Sequence, residues 1–172
     1  MKTKTPLLAF LGLFTAGVAL AAAPDKPIPA IEVTYVDSEK FTDVKDDQMG
    51  SDRGREAVLD QLKEHLVTQG AKYLAKGQRL QITVTDVDLA GDFEPWRGIN
   101  FHDIRIVKDL YPPRVDLEFK LIDADGKVVS EGKRQLRVLG YLTSMAMPTS
   151  DPLRYDKEML NDWLRQEFKR KA

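Results

Sequence analysis

Four carboxylates fall within one short stretch of the chain: Asp86, Asp88, Asp92 and Glu94. Paired carboxylates can divide acid and base roles, or hold a hard cation through oxygen. His102-Asp103 follows close behind, so Asp92, His102 and Asp103 are the weak candidates for a mixed oxygen–nitrogen metal site. The enzymatic reading of the cluster is a metal-assisted hydrolase. Its spacing matches no recognised metal or catalytic signature, and acid-rich strand ends are commonly salt-bridged. Ion pairing is therefore the reading taken, with no residue assigned as catalytic and no cofactor assigned.

The cations that could answer these acids are Arg97, Arg105, Arg114, Arg134 and Arg137, several of them on or beside strands. A guanidinium pairs bidentately with a carboxylate. The plain reading has them neutralising Asp86, Asp88 and Asp116 across a sheet. The sharper alternative is a pocket for an anionic ligand. Trp96, Tyr111, Tyr141 and Trp163 could line an apolar groove for a peptide or sugar, or Trp163 could be core with Trp96 capping it. No nucleophile constellation is visible: there is no cysteine, no Gly-x-Ser-x-Gly and no phosphate-cradling glycine loop. His65, alone on a helical pattern, reads as a satisfied or solvated side chain.

The elements that position these residues follow from periodicity. Ile31–Val36 alternates as a first strand. Asp37–Gly50 is polar and poorly patterned, with Phe41 and Val44 tucked against the core. Ser51-Asp52 caps a helix whose apolar stripe is Val58, Leu59, Leu62, Leu66 and Val67, and Gly70 or Gly77 ends it. Leu80, Ile82 and Val84 then face one way, but Val87 and Leu89 break the phase. Either a bulge near Thr85–Asp86 re-aims the chain, or Asp86 and Asp88 turn toward the packed face and require partners there. The bulge is the reading taken.

Gly91 ends that strand, and the Asp92–Asp103 loop carries Phe93, Trp96 and Phe101. Ile104–Ile106 reads as a short edge strand, stopped by Pro112-Pro113. Val115–Leu121 alternates cleanly, Asp123-Ala-Asp-Gly126 is a hairpin turn, and Lys127–Leu139 returns with a bulge expected at Gly132. A loop from Tyr141 to Thr149 leads to Asp151-Pro152, which opens a final helix with Leu153, Leu160, Trp163, Leu164 and Phe168 inside. The order β-α-β-β-β-β-α predicts an α+β fold: a two-layer sandwich with a mixed, mainly antiparallel sheet and both helices on one face.

Composition bounds the rest. The full chain has 26 basic and 27 acidic residues and is 42% hydrophobic, which argues against disorder. Without a basic surplus there is nothing to neutralise phosphates, so nucleic acid is not an expected partner. Lys2 and Lys4, an apolar run from Leu7 to Leu20 and Ala21-Ala22-Ala23 have the layout of a cleaved signal peptide over residues 1–22. The run is too short for a spanning helix. An extended proline-rich lead-in (23–30) then precedes one domain (31–172). The expected location is the periplasm, or beyond it by secretion, and not an integral membrane position.

Several segments resemble the Domain of Unknown Function 3016 family, secreted proteins of Gram-negative bacteria. They are Val33-Thr-Tyr35, Phe41-Thr-Asp43, Thr83-Val-Thr-Asp86-Val-Asp88-Leu-Ala-Gly91, Asp103-Ile-Arg105, Tyr111-Pro-Pro-Arg114, Leu153-Arg-Tyr-Asp-Lys157 and Asp162-Trp163. The resemblance runs from about Ile31 to Phe168. It departs at Val138, where the family often has an acid, so any role of that acid is missing here. It implies an envelope location and no mechanism. The functional expectation is a non-enzymatic binding or accessory module that meets an envelope protein or small ligand through the Asp92–Asp103 and Tyr141–Thr149 loops. A structural envelope role is the remaining alternative.

Overall fold

A computed structural model describes residues 29–143 and 150–169. The expected signal peptide, most of the lead-in and positions 144–149 of the second loop lie outside those residues. The elements are β1 (Ile31–Tyr35), α1 (Asp52–Gly70), β2 (Arg79–Asp88), β3 (Asp92–Phe93), β4 (Arg105–Ile106), β5 (Arg114–Ile122), β6 (Val128–Arg137) and α2 (Arg154–Phe168). The main sheet runs β1-β2-β5-β6, with β1 parallel to β2 and the other pairings antiparallel. The fold is α+β with a mixed, mainly antiparallel sheet and two helices. Helix α1 provides the crossover that a parallel β1–β2 pair requires.

Period and burial agree along the strands. Leu80, Ile82 and Val84 of β2, with Val115, Leu117 and Phe119 of β5, point into one cluster. Val58, Leu59, Leu62 and Leu66 of α1, and Met159, Leu160, Trp163 and Leu164 of α2, close it from the helical side. Fully burying one such aliphatic side chain is worth about 1.5–3 kcal/mol, so this shared cluster is what holds the layers together. Phe119, Trp163 and Phe168 meet edge to face, with centroids 5.4–6.0 Å apart. Ser51 Oγ accepts from Gly54 N at 2.9 Å and caps α1. His65 is satisfied: its Nε2 lies 2.9 Å from Asn161 Oδ1 and 3.2 Å from the Lys157 carbonyl, tying α1 to α2.

The phase break in β2 is a bulge. Val84 pairs with Leu117 and Asp86 with Asp116, so Thr85 is the extra residue. Val87 and Leu89 thereby regain the core, both at most 2% exposed, while Asp86 and Asp88 keep the outer face. Every later residue of β2 depends on this one insertion, because a one-residue slip exchanges the faces of a strand.

Other expectations need correcting. Arg105–Ile106 is not an edge of the main sheet; it pairs with Asp92–Phe93 in a separate two-stranded ribbon. Gly132 sits in register opposite Phe119, and the irregularity of β6 falls instead between Ser130 and Val128, leaving Val129 extra. Helix α2 starts at Arg154, because the Asp151 side chain accepts from Leu153 N at 2.9 Å and closes a local turn rather than capping a helix. Trp96 is 71% exposed and caps nothing, while Trp163 is core.

Candidate functional site

The outer end of β2 collects residues from distant parts of the chain. Thr42 N donates to Asp86 Oδ1 and Thr42 Oγ1 to Asp86 Oδ2, both at 2.7 Å. Asp43 bridges to Asp88 in parallel fashion, with Asp43 N donating to the Val87 carbonyl and Leu89 N to the Asp43 carbonyl. The polar stretch after β1 is therefore a short extension of the sheet edge, held by backbone bonds and by one carboxylate. Arg114, at the start of β5, reaches Asp86 at 3.0 Å and lies 3.8 Å from Asp88. Arg114 thus pairs with Asp86 from the neighbouring strand.

Beyond the bulge the chain turns at Gly91, where Gly91 N donates to the Tyr111 carbonyl at 3.0 Å. Arg105 comes back from the ribbon and places its fork on four acceptors: both Asp43 oxygens, and the carbonyls of Gly91 and Lys45. Its side chain and that of Asp43 are largely buried, and its guanidinium also lies over the Phe93 ring at 4.7 Å. Below this, Asp156 of α2 is 1% exposed and accepts from Ala90 N at 3.0 Å. Burial pushes the Asp156 carboxyl up to about 7, against the opposing pull of the Ala90 N–H and the Arg105 charge.

These segments enclose a cleft of about 470 Å³, within the size range of small-ligand sites. One part of its wall is Thr42, Asp43 and Lys45; another is Asp88, Gly91 and Asp92; the rest is Leu110, Tyr111, Pro112, Arg114 and Arg137. Burial raises the Asp88 carboxyl above the ordinary aspartate range. The Arg114 charge pulls it back, and Asp43, Asp86 and Asp92 add repulsion. The cleft therefore holds a carboxylate whose ionisation burial opposes, beside the cations Lys45, Arg114 and Arg137.

The remaining candidates separate. Glu94 does not reach the surface. It is 2% exposed, and ion pairs with Arg97 and Lys108 hold it together with a hydrogen bond from the Tyr111 hydroxyl at 3.0 Å. Hydrogen bonding from Lys108, then from Tyr111 and Arg97, holds its carboxyl below the usual glutamate range despite burial. Glu94 thus fastens the ends of the 94–111 loop behind the cleft. Trp96, His102 and Asp103 do not line the cleft. Arg134 is elsewhere, gripping Glu167 of α2 at 2.7 and 2.8 Å and lying over Phe119. Tyr141 is buried and its hydroxyl donates to the Lys108 carbonyl, so it braces the loop rather than lining a groove. Among the described residues no three His, Cys, Asp or Glu side chains group to hold a metal ion, and no helix is long and apolar enough to cross a membrane.

Cleft residues missed from pattern alone include Thr42, Asp43, Lys45 and Pro112, with Asp156 beneath, while Tyr111, expected in an apolar groove, lines this polar cleft instead. Apart from Lys45, each lies in a segment that carries the family resemblance, and that was the signal available for them. Five such segments, from Phe41-Thr-Asp43 to Leu153–Lys157, are scattered over the chain and packed around one place.

No curated protein matches the sequence. A crystal structure of a Xanthomonas campestris protein, described under the DUF330 family model, aligns with 16% identity and a TM-score of 0.32, covering 63% of this chain. This chain spans 58% of that one's length. The model of the family described as protein of unknown function (DUF3016) matches residues 29–166, and the chain belongs to that family.

Proposed function

We propose that this protein is an exported, periplasmic binding module that holds a small polar ligand in the Asp88–Arg137 cleft, without catalysing a reaction on it. The observation that carries the reading is the convergence of the Thr42-Asp43, Asp86–Gly91, Arg105 and Tyr111–Arg114 segments around that cleft. A merely structural role needs no half-buried, ionisable Asp88 beside cations in an open concavity. The leader-like sequence of residues 1–22 supports export. The binding reading is preferred to the hydrolase alternative because two of the acids that alternative would use, Glu94 and Asp86, are engaged by cations and hydrogen bonds.

The test uses the protein purified from the envelope of its own cells and labelled with nitrogen-15. A panel of polar metabolites is added in pools while amide resonances are followed. Binding should move Gly91, Asp92 and Leu110 selectively, and Arg137→Gln should weaken that response. A panel that moves no cleft resonance would leave the structural envelope role in its place. Recovery of the protein only from the cytoplasm, with its leader uncut, would overturn the periplasmic assignment.

A further inference from the structure

Asp88, Arg114 and Arg137 form one row across three strands. Asp88 faces Arg114 in the β2–β5 ladder, and Arg114 faces Arg137 in the β5–β6 ladder. Directly opposed residues share a face, with Cα atoms about 5 Å apart, so Asp88 and Arg137 stand about 10 Å apart with Arg114 between them. Like charges placed directly opposite repel. Arg114 is compensated by Asp86 and, more distantly, by Asp88. Arg137 is not: among the described residues its side chain takes part in no ion pair or hydrogen bond, and the same holds for the Lys45 ammonium.

The acidic side is equally incomplete. Asp92 makes no ion pair among the described residues, and its Oδ1 accepts only from the adjacent Phe93 N at 2.7 Å. Asp88 has Arg114 at 3.8 Å, beyond hydrogen-bonding distance. The cleft therefore presents under-neutralised carboxylates from the β2 side and under-neutralised cations from Arg137 and Lys45. A simple anion would meet the repulsion of Asp88 and Asp92. A simple cation would meet Arg137 and Arg114. A molecule bearing both charges answers both sides at once, and its carboxylate suits the planar guanidinium fork.

Resting on the binding reading above, we infer that the ligand is a small zwitterion: an amino acid or short peptide with free amino and carboxylate groups. Its ammonium lies toward Asp88 and Asp92, and its carboxylate toward Arg137. The scarcity of apolar side chains along the cleft, where Leu110 and Pro112 are the aliphatic ones, fits a ligand recognised by its charged termini rather than by a large side chain.

The test compares four probe sets on the envelope-purified protein: free amino acids, tripeptides of mixed sequence with free termini, the same tripeptides N-acetylated, and the same tripeptides C-amidated. Amide shifts at Gly91, Asp92 and Leu110 and the melting temperature are read together. A free-terminus set should bind, and each capped set should bind about tenfold more weakly or worse, the loss expected when one charged hydrogen-bonded contact is removed. Arg137→Gln should erase the difference between free and amidated peptides, and Asp92→Asn the difference between free and acetylated ones. Both side chains lack ion-pair partners, so folding is not at stake, and the capped peptides test the idea without any variant. Capped peptides binding as well as free ones would overturn the zwitterion while leaving the binding cleft standing. If the free sets do nothing but inorganic phosphate or another probe bearing charge of one sign only moves the cleft resonances, the outcome is the same. Silence from every probe would remove both.

Discussion

Asp156 Oδ1 accepts a hydrogen bond from the backbone N–H of Ala90 at 3.0 Å, across 66 positions of sequence. The other oxygen, Oδ2, is buried without a hydrogen-bond partner among the described residues. An ionised carboxylate in that position would be poorly compensated, so the neutral acid is favoured and the group titrates at about 7. The unfolded value is near 4. Between those limits the folded chain holds a proton that the unfolded chain has released. The stabilisation is complete below about pH 4 and is lost as pH rises toward 7. It is on the order of 4 kcal/mol at most. Urea denaturation of wild type and Asp156→Asn at several values between pH 4 and 8 should show the wild type losing stability relative to the variant as pH rises. Parallel curves would show that Asp156 is ionised throughout.

Arg105 and Asp43 make the complementary case of a charge pair that is largely buried and fully bonded. Arg105→Ala would leave Asp43 facing the Gly91 and Lys45 carbonyls without a cation. Removing one partner of a buried pair typically costs about 3–5 kcal/mol. Arg105→Lys keeps the charge but cannot reach four acceptors, and should recover only part of the loss. Equilibrium unfolding in urea measures both. A loss under about 1 kcal/mol for the alanine variant would place this pair with exposed surface bridges instead.

How much of this was legible depended on whether a local pattern existed to read. The β2 bulge was legible because Val87 and Leu89 violate a period of two, and only an insertion or buried acids could follow. The Ser51 cap and the Asp125-Gly126 turn are local chemistry, and the Gly126 N–H bonds to the Asp123 carbonyl as that turn requires. The β3–β4 ribbon was not legible, since two-residue strands carry no periodicity. Glu94 gave no sign of burial, because its partners Lys108 and Tyr111 return from 14 and 17 positions further on. The start of α2 was misplaced for a similar reason: Asp151 has the chemistry of a helix cap and equally that of a turn, and only the position of Leu153 in the core decides between them. Among the site residues, Asp88 and Arg114 were legible as candidates because each lies on a patterned strand, with the match of acid to arginine left open, whereas Asp43 sits in a stretch with no pattern at all.

Glu94 should respond to acid in the sense opposite to Asp156. Its carboxyl is held below the ordinary range, chiefly by the hydrogen bond from Lys108. Its contribution is therefore present above the unfolded value, near 4.3, and is lost as pH falls through the lower folded one. Glu94→Gln removes the charge without changing the shape. Amides between Pro95 and Leu110 should then exchange faster with solvent at neutral pH, while those of β2 and β5 keep their protection. Uniform protection across the 94–111 loop in the variant would show that Tyr141 alone is enough to hold it.

Gly91 is required at its place by two separate constraints. Its φ of +83° lies in the left-handed region, and a Cβ there would approach the Ile106 carbonyl oxygen to 2.9 Å. Gly126 shares the first constraint, with φ of +85°, but a Cβ on it would have nothing within 4 Å. Gly126→Ala should therefore cost about 1–2 kcal/mol, the backbone penalty alone. Gly91→Ala should cost distinctly more, because the atom it meets is backbone belonging to the β3–β4 ribbon and cannot rotate away. The excess should be accompanied by disturbance of the Arg105–Asp43 contact and of the cleft beside it. Urea midpoints of the two variants, measured side by side, separate conformation from collision. Equal losses would mean that the ribbon moves aside at no expense, and that the closeness of Gly91 to Ile106 does not hold the cleft wall in place.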